Sequence, residues 1–226
     1  MKDKHLKTSA FAIVIIALTG GLVCSILASI TFGNADISIS DVYKVILYKI
    51  TRASGLADYG QGAVHDVVWL IRFPRVVMAV AVGMGLSVCG TVMQAVVKNP
   101  LADPYVLGVS SGAYLGAAAS IILGIGAVVG DNSIGIMAFA GAFLASLAVL
   151  AISGIGGRSS ATRLILAGMA ISADCSAFAN FLIYMSQDRE ATTQISYWSM
   201  GSLAAADWDN VPVTLMVMIL GAMLFM

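Results

Sequence analysis

The ionisable side chains that stand within or beside apolar runs are the first candidates for chemistry. Asp174 lies inside a long apolar run, and Arg72 and Arg75 flank Pro74 at the start of another. A buried acid can carry a proton, whereas a guanidinium fork holds a carboxylate in a fixed orientation. The chain has no nucleophile paired with a base, no metal-ligand cluster and no G-x-x-x-x-G-K-[ST] phosphate loop. The sequence therefore predicts no catalytic site in this chain.

Composition places the chain in a membrane. Hydrophobic residues make up 59% of the sequence and charged residues only 11%, whereas soluble domains carry about 25% charge. Twelve basic and twelve acidic residues cancel, which argues against a nucleic-acid partner. Cys24, Cys89 and Cys175 each lie in an apolar run and are interpreted as packing residues. His5 and His65 have no neighbouring ligands, so no metal site is predicted.

The elements that must position these residues are apolar helices separated by polar segments. The pattern predicts an all-α polytopic membrane protein with about five complete transmembrane helices and a partial sixth, in one domain covering residues 1–226. The predicted spans are 10–32, 76–97, 106–124, 134–155, 164–185 and 211–226. A short helix at 41–49, with Ser40 as N-cap, has an apolar side of Val42, Val45 and Ile46 that could lie on the membrane surface. Residues 55–62 are interpreted as a loop and 125–133 as a turn. The polar segment 186–210 lies between two spans and carries Tyr197, Trp198 and Trp208, aromatic residues of the kind that lie at headgroup depth.

Small residues recur every fourth position along the second and third spans. Such a row is one ridge of a helix, and it lets a neighbouring backbone approach closely in lipid. These helices are therefore predicted to pack tightly, although glycine and alanine are also common in membrane helices in general. The rows are Ala79, Gly83, Ser87, Thr91 and Ala95 on one helix, and Gly108, Gly112, Gly116, Ser120 and Gly124 on the other.

Two motifs carry a resemblance to a known family. The segments RFPR at 72–75 and GMGLSVCGTVMQAVVKNPLADPYVLGVSSGA at 83–113 resemble the FecCD family, the permease subunits of ATP-driven importers for ferric siderophores, haem and cobalamin. Weaker similarity extends to SISDVYKVI, RLILAGMAIS and YWSMGSLAAADW. The resemblance implies a permease of about ten helices. Because this chain stops within its sixth apolar run, we expect it to be a fragment corresponding to a little over the N-terminal half.

The resemblance implies roles for two pairs of residues. Arg72 and Arg75 would receive acidic residues of a substrate-binding protein on the outer face; the alternative is that both guanidiniums anchor the helix end in the headgroups. Asn99 and Leu101, in the turn NPLADP at 99–104, would help to close the inner end of the pathway. The alternative for this turn is a simple chain reversal.

The next inner turn would place two further residues opposite this gate. These are Ala161 and Thr162, although alanine departs from the polar residue expected there. The resemblance implies no role for Asp174. It is a candidate site residue only because an acid in lipid costs about 2.5 to 3.5 kcal/mol of free energy. It either lines a polar conduit with Ser172, Ser176 and Asn180, forms an interhelical hydrogen bond, or is protonated within the packing.

The predicted function is that of a permease subunit in an ABC importer for an iron chelate or cobalamin. Implied partners are a second permease copy or close paralogue, cytoplasmic ATPase subunits that hold ATP and Mg²⁺, a substrate-binding protein and the lipid bilayer; the chain itself needs no cofactor. Basic residues in short turns and the resemblance favour a cytoplasmic N-terminus in a bacterial or archaeal inner membrane. Because of Asp174, an ion-coupled secondary transporter is an alternative function. Because the chain stops within its sixth span, an inactive fragment is a further alternative. The sequence does not identify the ligand.

Overall fold

A computed structural model describes residues 2–100, 102–155 and 160–225, with side chains for all of these except 2–10, 129 and 131. Throughout these ranges the regular structure is helical and contains no strands, so the all-α prediction is confirmed. The α-helices are α1 (Lys2–Thr31), α2 (Ile39–Thr51), α3 (Ala63–His65), α4 (Phe73–Val97), α5 (Val109–Leu123), α6 (Ser133–Gly154), α7 (Ala161–Ser186), α8 (Arg189–Met200) and α9 (Val211–Leu224). A π-helix, Asp66–Arg72, joins α3 to α4. Short 3₁₀ helices occupy Ser54–Gly60, Pro104–Leu107 and Ala127–Asn132.

Four of the described helical segments are long and apolar enough to cross a membrane. They are Phe11–Thr31, Ala63–Val97, Ser133–Gly154 and Ala161–Ser186. The predicted span at 106–124 is shorter than expected: α5 has 15 residues and covers only about 22 Å. Its start is delayed because Gly108 has a left-handed backbone conformation, φ 72°, after the 3₁₀ turn of Pro104. Helix α9 is likewise a shorter apolar helix.

The chain divides into two compact units. The first contains residues 2–85 and 203–224. Its core joins Ile30 at the end of α1, Val42 and Val45 of α2, and Val68 of the π-helix. The helix α2 begins earlier than predicted, because Ser38 rather than Ser40 is the N-cap and accepts a hydrogen bond from the Asp41 amide at 3.2 Å. The apolar side predicted to face the membrane is instead packed inside the unit.

The second unit contains residues 86–202 and is organised around α5. This helix packs against α6 on one side and α7 on another, and its inner surface consists of small residues, including Gly112, Gly116 and Ala118. The helix α8 was missed, since polar residues dominate the segment 186–210. Asp188 caps it by accepting from the Glu190 amide at 2.8 Å, and Ile195 is fully buried against Ala118 and Ala179.

Candidate functional site

Arg72 is the most enclosed of the predicted site residues. Its side chain is only 8% exposed, although it stands at the end of a predicted span. The guanidinium donates hydrogen bonds to the carbonyl oxygens of Ile30 at 3.1 Å, Thr31 at 2.8 Å and Ala35 at 2.8 Å. The Ile30 and Thr31 carbonyls belong to the C-terminal end of α1, where unpaired carbonyls and the negative end of the helix dipole favour a cation, and Ala35 lies in the segment that follows. Arg72 therefore fastens the end of α1 to the start of α4.

Gly33 makes this arrangement possible. A side chain at this position would begin 2.8 Å from three atoms of the Arg72 guanidinium, which is closer than real Cβ atoms come to their neighbours. A glycine at residue 33 therefore lets the chain after α1 pass close to the arginine. The docking and headgroup-anchoring roles of Arg72 stay predictions.

Arg75 lies one helical turn further on and has a different environment. Its side chain is exposed, and it donates a single hydrogen bond to the Ala204 carbonyl at 3.0 Å. Arg75 follows Arg72, the last residue of the π-helix, by three positions, yet only Arg75 presents its charge to the surroundings. The two members of the RFPR motif are thus not equivalent.

An aromatic cluster supports the helix segment that carries both arginines. Trp69, Phe73 and Trp208 have ring centroids 5.0 to 5.7 Å apart. The indole Nε1 of Trp208 donates to the Trp69 carbonyl at 2.7 Å. Trp69 lies in the π-helix, where the wider turn alters backbone pairing, and the indole gives its carbonyl a partner. Sequence reasoning placed Trp208 at headgroup depth but did not find this contact.

The turn after α4 contains the predicted gate residue Asn99. The helix ends at Val97, Lys98 adopts a left-handed conformation with φ 55°, and the Asn99 amide donates to the Gln94 carbonyl at 3.2 Å. Asp103 then caps the next turn by accepting from the Tyr105 amide at 2.8 Å. Leu101 lies outside the described residues. Both prolines therefore lie in a chain reversal, as the sequence predicted.

The residues predicted to face this turn begin α7. Ser160 caps the helix by accepting from the Arg163 amide at 3.3 Å, and Thr162 is exposed. Ala161 is half-buried against a core cluster formed by Met93, Val97, Val149, Leu164 and Ala167. Ala102 packs against the same cluster, so the structure brings the two turns together around one apolar core. The missing polar group at residue 161 is explained by this apolar environment.

Asp174 is exposed in the middle of α7. It takes part in neither of the two ion pairs that the described residues form, Lys44 with Asp41 and His65 with Asp66. The neighbouring Asn180 is exposed as well, whereas Ser172 and Ser176 are half-buried. The alternatives for Asp174, a place in a polar conduit, an interhelical hydrogen bond or a protonated acid within the packing, therefore stay predictions.

The two rows of small residues have opposite environments. Gly108, just before α5, and Gly112, Gly116 and Ser120 on it are buried, whereas Gly124, which follows the helix, is exposed. A side chain at Gly112 would meet the Gly141 carbonyl oxygen at 2.5 Å and the Ala145 side chain at 2.6 Å, and one at Gly116 would clash with the Met137 carbonyl. On α4, all five members of the row, including Gly83 and Ser87, are exposed, and nothing lies within 4 Å of a side chain added at Gly83.

Two further glycines in close contact with neighbouring segments were not predicted from the sequence. Gly85 lies against the Met218 side chain, and Gly168 lies against the Val106 carbonyl. Neither belongs to a long row of small residues, so spacing gave no signal. No group of three potential metal ligands occurs in the part of the chain that the structure describes.

These features define a multi-pass α-helical membrane protein of the transport class. The chain belongs to the FecCD transport family, whose model matches residues 21–226. Family membership and the apolar helices point to a multi-pass protein of the inner membrane.

Relatives show how much of a permease this chain represents. It is 38% identical over 202 residues to a protein of Helicobacter pylori named "Probable iron chelatin transport system permease protein", covering 88% of this chain and 59% of that protein. It is 41% identical over 143 residues to the vitamin B12 import system permease protein BtuC of Salmonella paratyphi A, covering 63% of this chain and 43% of BtuC. The chain therefore spans about half the length of these relatives.

A solved structure shares the fold. It is described as an inward-facing conformation of a metal-chelate type ABC transporter and matches with a TM-score of 0.68 at 25% identity. The match covers 92% of this chain and 59% of that chain. The helical arrangement is therefore that of an ABC transporter permease, consistent with the family.

Proposed function

We propose that this chain forms part of the translocation pathway of an ABC importer that carries an iron chelate or cobalamin. The observation that carries this proposal is the family match over residues 21–226, with relatives named for iron chelatin and vitamin B12 import. In this proposal a second permease copy or paralogue completes the pathway. Separate cytoplasmic ATPase subunits supply ATP hydrolysis, and a binding protein delivers the ligand. The mechanism is a shift between two helix arrangements, biased by ATP and by the docked partner.

Within this proposal, Arg75 is the docking arginine and Arg72 positions it. An exposed guanidinium with one backbone bond retains donors for a partner carboxylate, whereas Arg72 already uses its donors on three carbonyls. Changing Arg75→Glu should weaken binding-protein affinity at least tenfold, about 1.4 kcal/mol. The matched control is Arg52→Glu, which reverses another exposed arginine of the same unit. Equal loss in both variants would refute a specific docking role.

The proposed gate consists of Asn99, Leu101, Ala161 and Thr162. Support comes from Ala102 and Ala161 packing on one apolar cluster, which brings the two turns together. In an N-in orientation these turns face the cytoplasm. We further propose that the exposed α4 row, with Gly83 and Ser87, packs on a helix of the assembled importer outside this chain.

For Asp174 we propose a place in the polar lining of the pathway. An exposed acid at mid-span is costly in lipid, and a water-filled conduit removes that cost. The same observation favours a second candidate function, an ion-coupled secondary transporter in which Asp174 carries a proton.

Uptake by reconstituted vesicles separates the two functions. The complete permease, its ATPase and its binding protein would be given radiolabelled ferric chelate or cobalamin, either with ATP inside or with a proton gradient and no ATP. We expect uptake only with ATP. Uptake driven by the gradient alone, abolished by Asp174→Asn, would refute the importer and establish ion coupling.

A further inference from the structure

The helix α2 carries a second apolar stripe that nothing in the described chain covers. Its first apolar face, Val42 and Val45, is completely buried in the first unit. The second consists of side chains that keep large exposed fractions despite their size. These are Ile39 at 56%, Tyr43 at 38%, Leu47 at 50% and Ile50 at 74%.

The spacing of this stripe makes it one continuous surface. Positions 39, 43, 47 and 50 follow the i, i+4, i+8, i+11 pattern, so they form a single line along the helix. The polar residues Asp41 and Lys44 occupy another sector of the same helix. A helix with one buried apolar face, one exposed apolar face and one polar sector has two different neighbours and one contact with water.

The position of α2 in the first unit identifies the depth at which this stripe lies. Its buried face contacts Ile30 at the end of α1 and Val68 at the head of the long helical segment Ala63–Val97. Both elements are long and apolar enough to span a membrane, so their adjoining ends mark one membrane surface. The Tyr43 hydroxyl lies 3.2 Å from the Thr31 hydroxyl at the end of α1. The stripe therefore starts where the apolar surface of α1 ends.

We propose that α2 is an interfacial helix whose stripe of Ile39, Tyr43, Leu47 and Ile50 inserts into the lipid at the boundary between headgroups and acyl chains. Lipid is the occupant because the stripe continues the apolar surface of Phe11–Thr31, which is itself unburied in the chain. With 13 residues, α2 is about 20 Å long, too short to span but suited to lie along the surface.

Charges near the stripe agree with this depth. Lys44 and Lys49 lie over the rings of Tyr59 and Trp69, at 4.9 and 5.3 Å from the ring centroids. Cations paired with aromatic rings beside an apolar stripe are typical of the headgroup layer, where the ammonium remains hydrated while the stem is buried. The proposal does not depend on what the protein transports.

Spin labels test the proposal. In a full chain with Cys24, Cys89 and Cys175 changed to alanine, a nitroxide would be attached at Leu47→Cys or Ile50→Cys. The matched control is Asp41→Cys, which lies on the opposite side of the helix from the stripe. Each variant is reconstituted in vesicles of phosphatidylcholine and phosphatidylglycerol, and circular dichroism verifies that it is folded. Collision rates are then measured with oxygen, which partitions into lipid, and with a water-soluble nickel chelate.

We expect the ratio of oxygen to nickel collisions to be at least threefold higher at positions 47 and 50 than at position 41. Equal ratios at all three positions would show that the stripe lies in water and would overturn the proposal. Low collision rates with both reagents at 47 and 50 would also overturn it, because they would show that protein covers the stripe.

Discussion

The contact between α5 and α6 gives the sharpest prediction. We consider Gly112→Ala, which adds one methyl group to the buried face of α5. The new Cβ would lie 2.5 Å from the Gly141 carbonyl oxygen and 2.6 Å from the Ala145 Cβ. Ordinary contacts begin about 1 Å further out, so the two helices would have to separate by roughly that distance.

The size of the stability loss depends on which atoms the new methyl group meets. Overpacking a well-filled core costs about 1 to 3 kcal/mol, and one of the atoms met here belongs to the backbone, which cannot rotate away. We therefore expect a loss of about 3 kcal/mol in the free energy of unfolding. The matched control is Gly83→Ala on α4, where nothing lies within 4 Å. There, alanine should stabilise the isolated chain by up to about 1 kcal/mol through helix propensity.

Unfolding of the chain in mixed detergent micelles, followed by circular dichroism as the fraction of sodium dodecyl sulfate rises, would measure both variants. The double variant Gly112→Ala with Ala145→Gly removes one of the two clashes and should recover part of the loss. If Gly112→Ala unfolds at the same detergent fraction as Gly83→Ala, close packing of α5 on α6 is refuted.

Three further predictions concern the first unit. In the same detergent assay, Arg72→Gln should lower the free energy of unfolding by about 3 kcal/mol and Gly33→Ala by about 1 kcal/mol. Unchanged stability in both variants would refute the role of Arg72 in joining the end of α1 to the start of α4. Trp208→Phe retains an aromatic ring but loses the hydrogen bond to the Trp69 carbonyl. The free energy of unfolding should therefore fall by about 1 kcal/mol, and an unchanged value would contradict that hydrogen bond. The Ser38 side chain, followed by Lys44, lowers the pKa of Asp41 below its ordinary 3.8. The resulting stabilisation of α2 is therefore present above pH 3.8 and lost as the pH falls below it, and amide exchange in the first turn, corrected for intrinsic rates, should show this loss.

Much of the fold could be predicted from the sequence because hydrophobicity and proline act locally. Long apolar runs must be helical in lipid, so the spanning helices followed from composition and length. The prolines around Asn99 predicted the reversal between α4 and α5. Helix α8 could not be predicted in this way, since its stability depends on Ile195 packing against Ala118 and Ala179 rather than on its mostly polar sequence.

The candidate site was predicted less completely. The motif RFPR identified both arginines, but their different environments depend on carbonyl groups more than thirty residues away along the chain. The position of Gly33 beside Arg72 has no local signature either. Asp174 was found from its cost in lipid, whereas its exposure in the chain became known only from the structure.

The sequence by itself determined that this is a helical membrane protein with a proline-bounded turn, two rows of small residues and the FecCD motifs. Only the tertiary structure decided that four of the five members of the α5 row are buried while the α4 row is exposed, and that α2 buries Val42 and Val45 while leaving Leu47 half exposed. The physical reason is that periodicity shows which residues share a helix face. Which face acquires a neighbour depends on the packing of segments far apart in the chain.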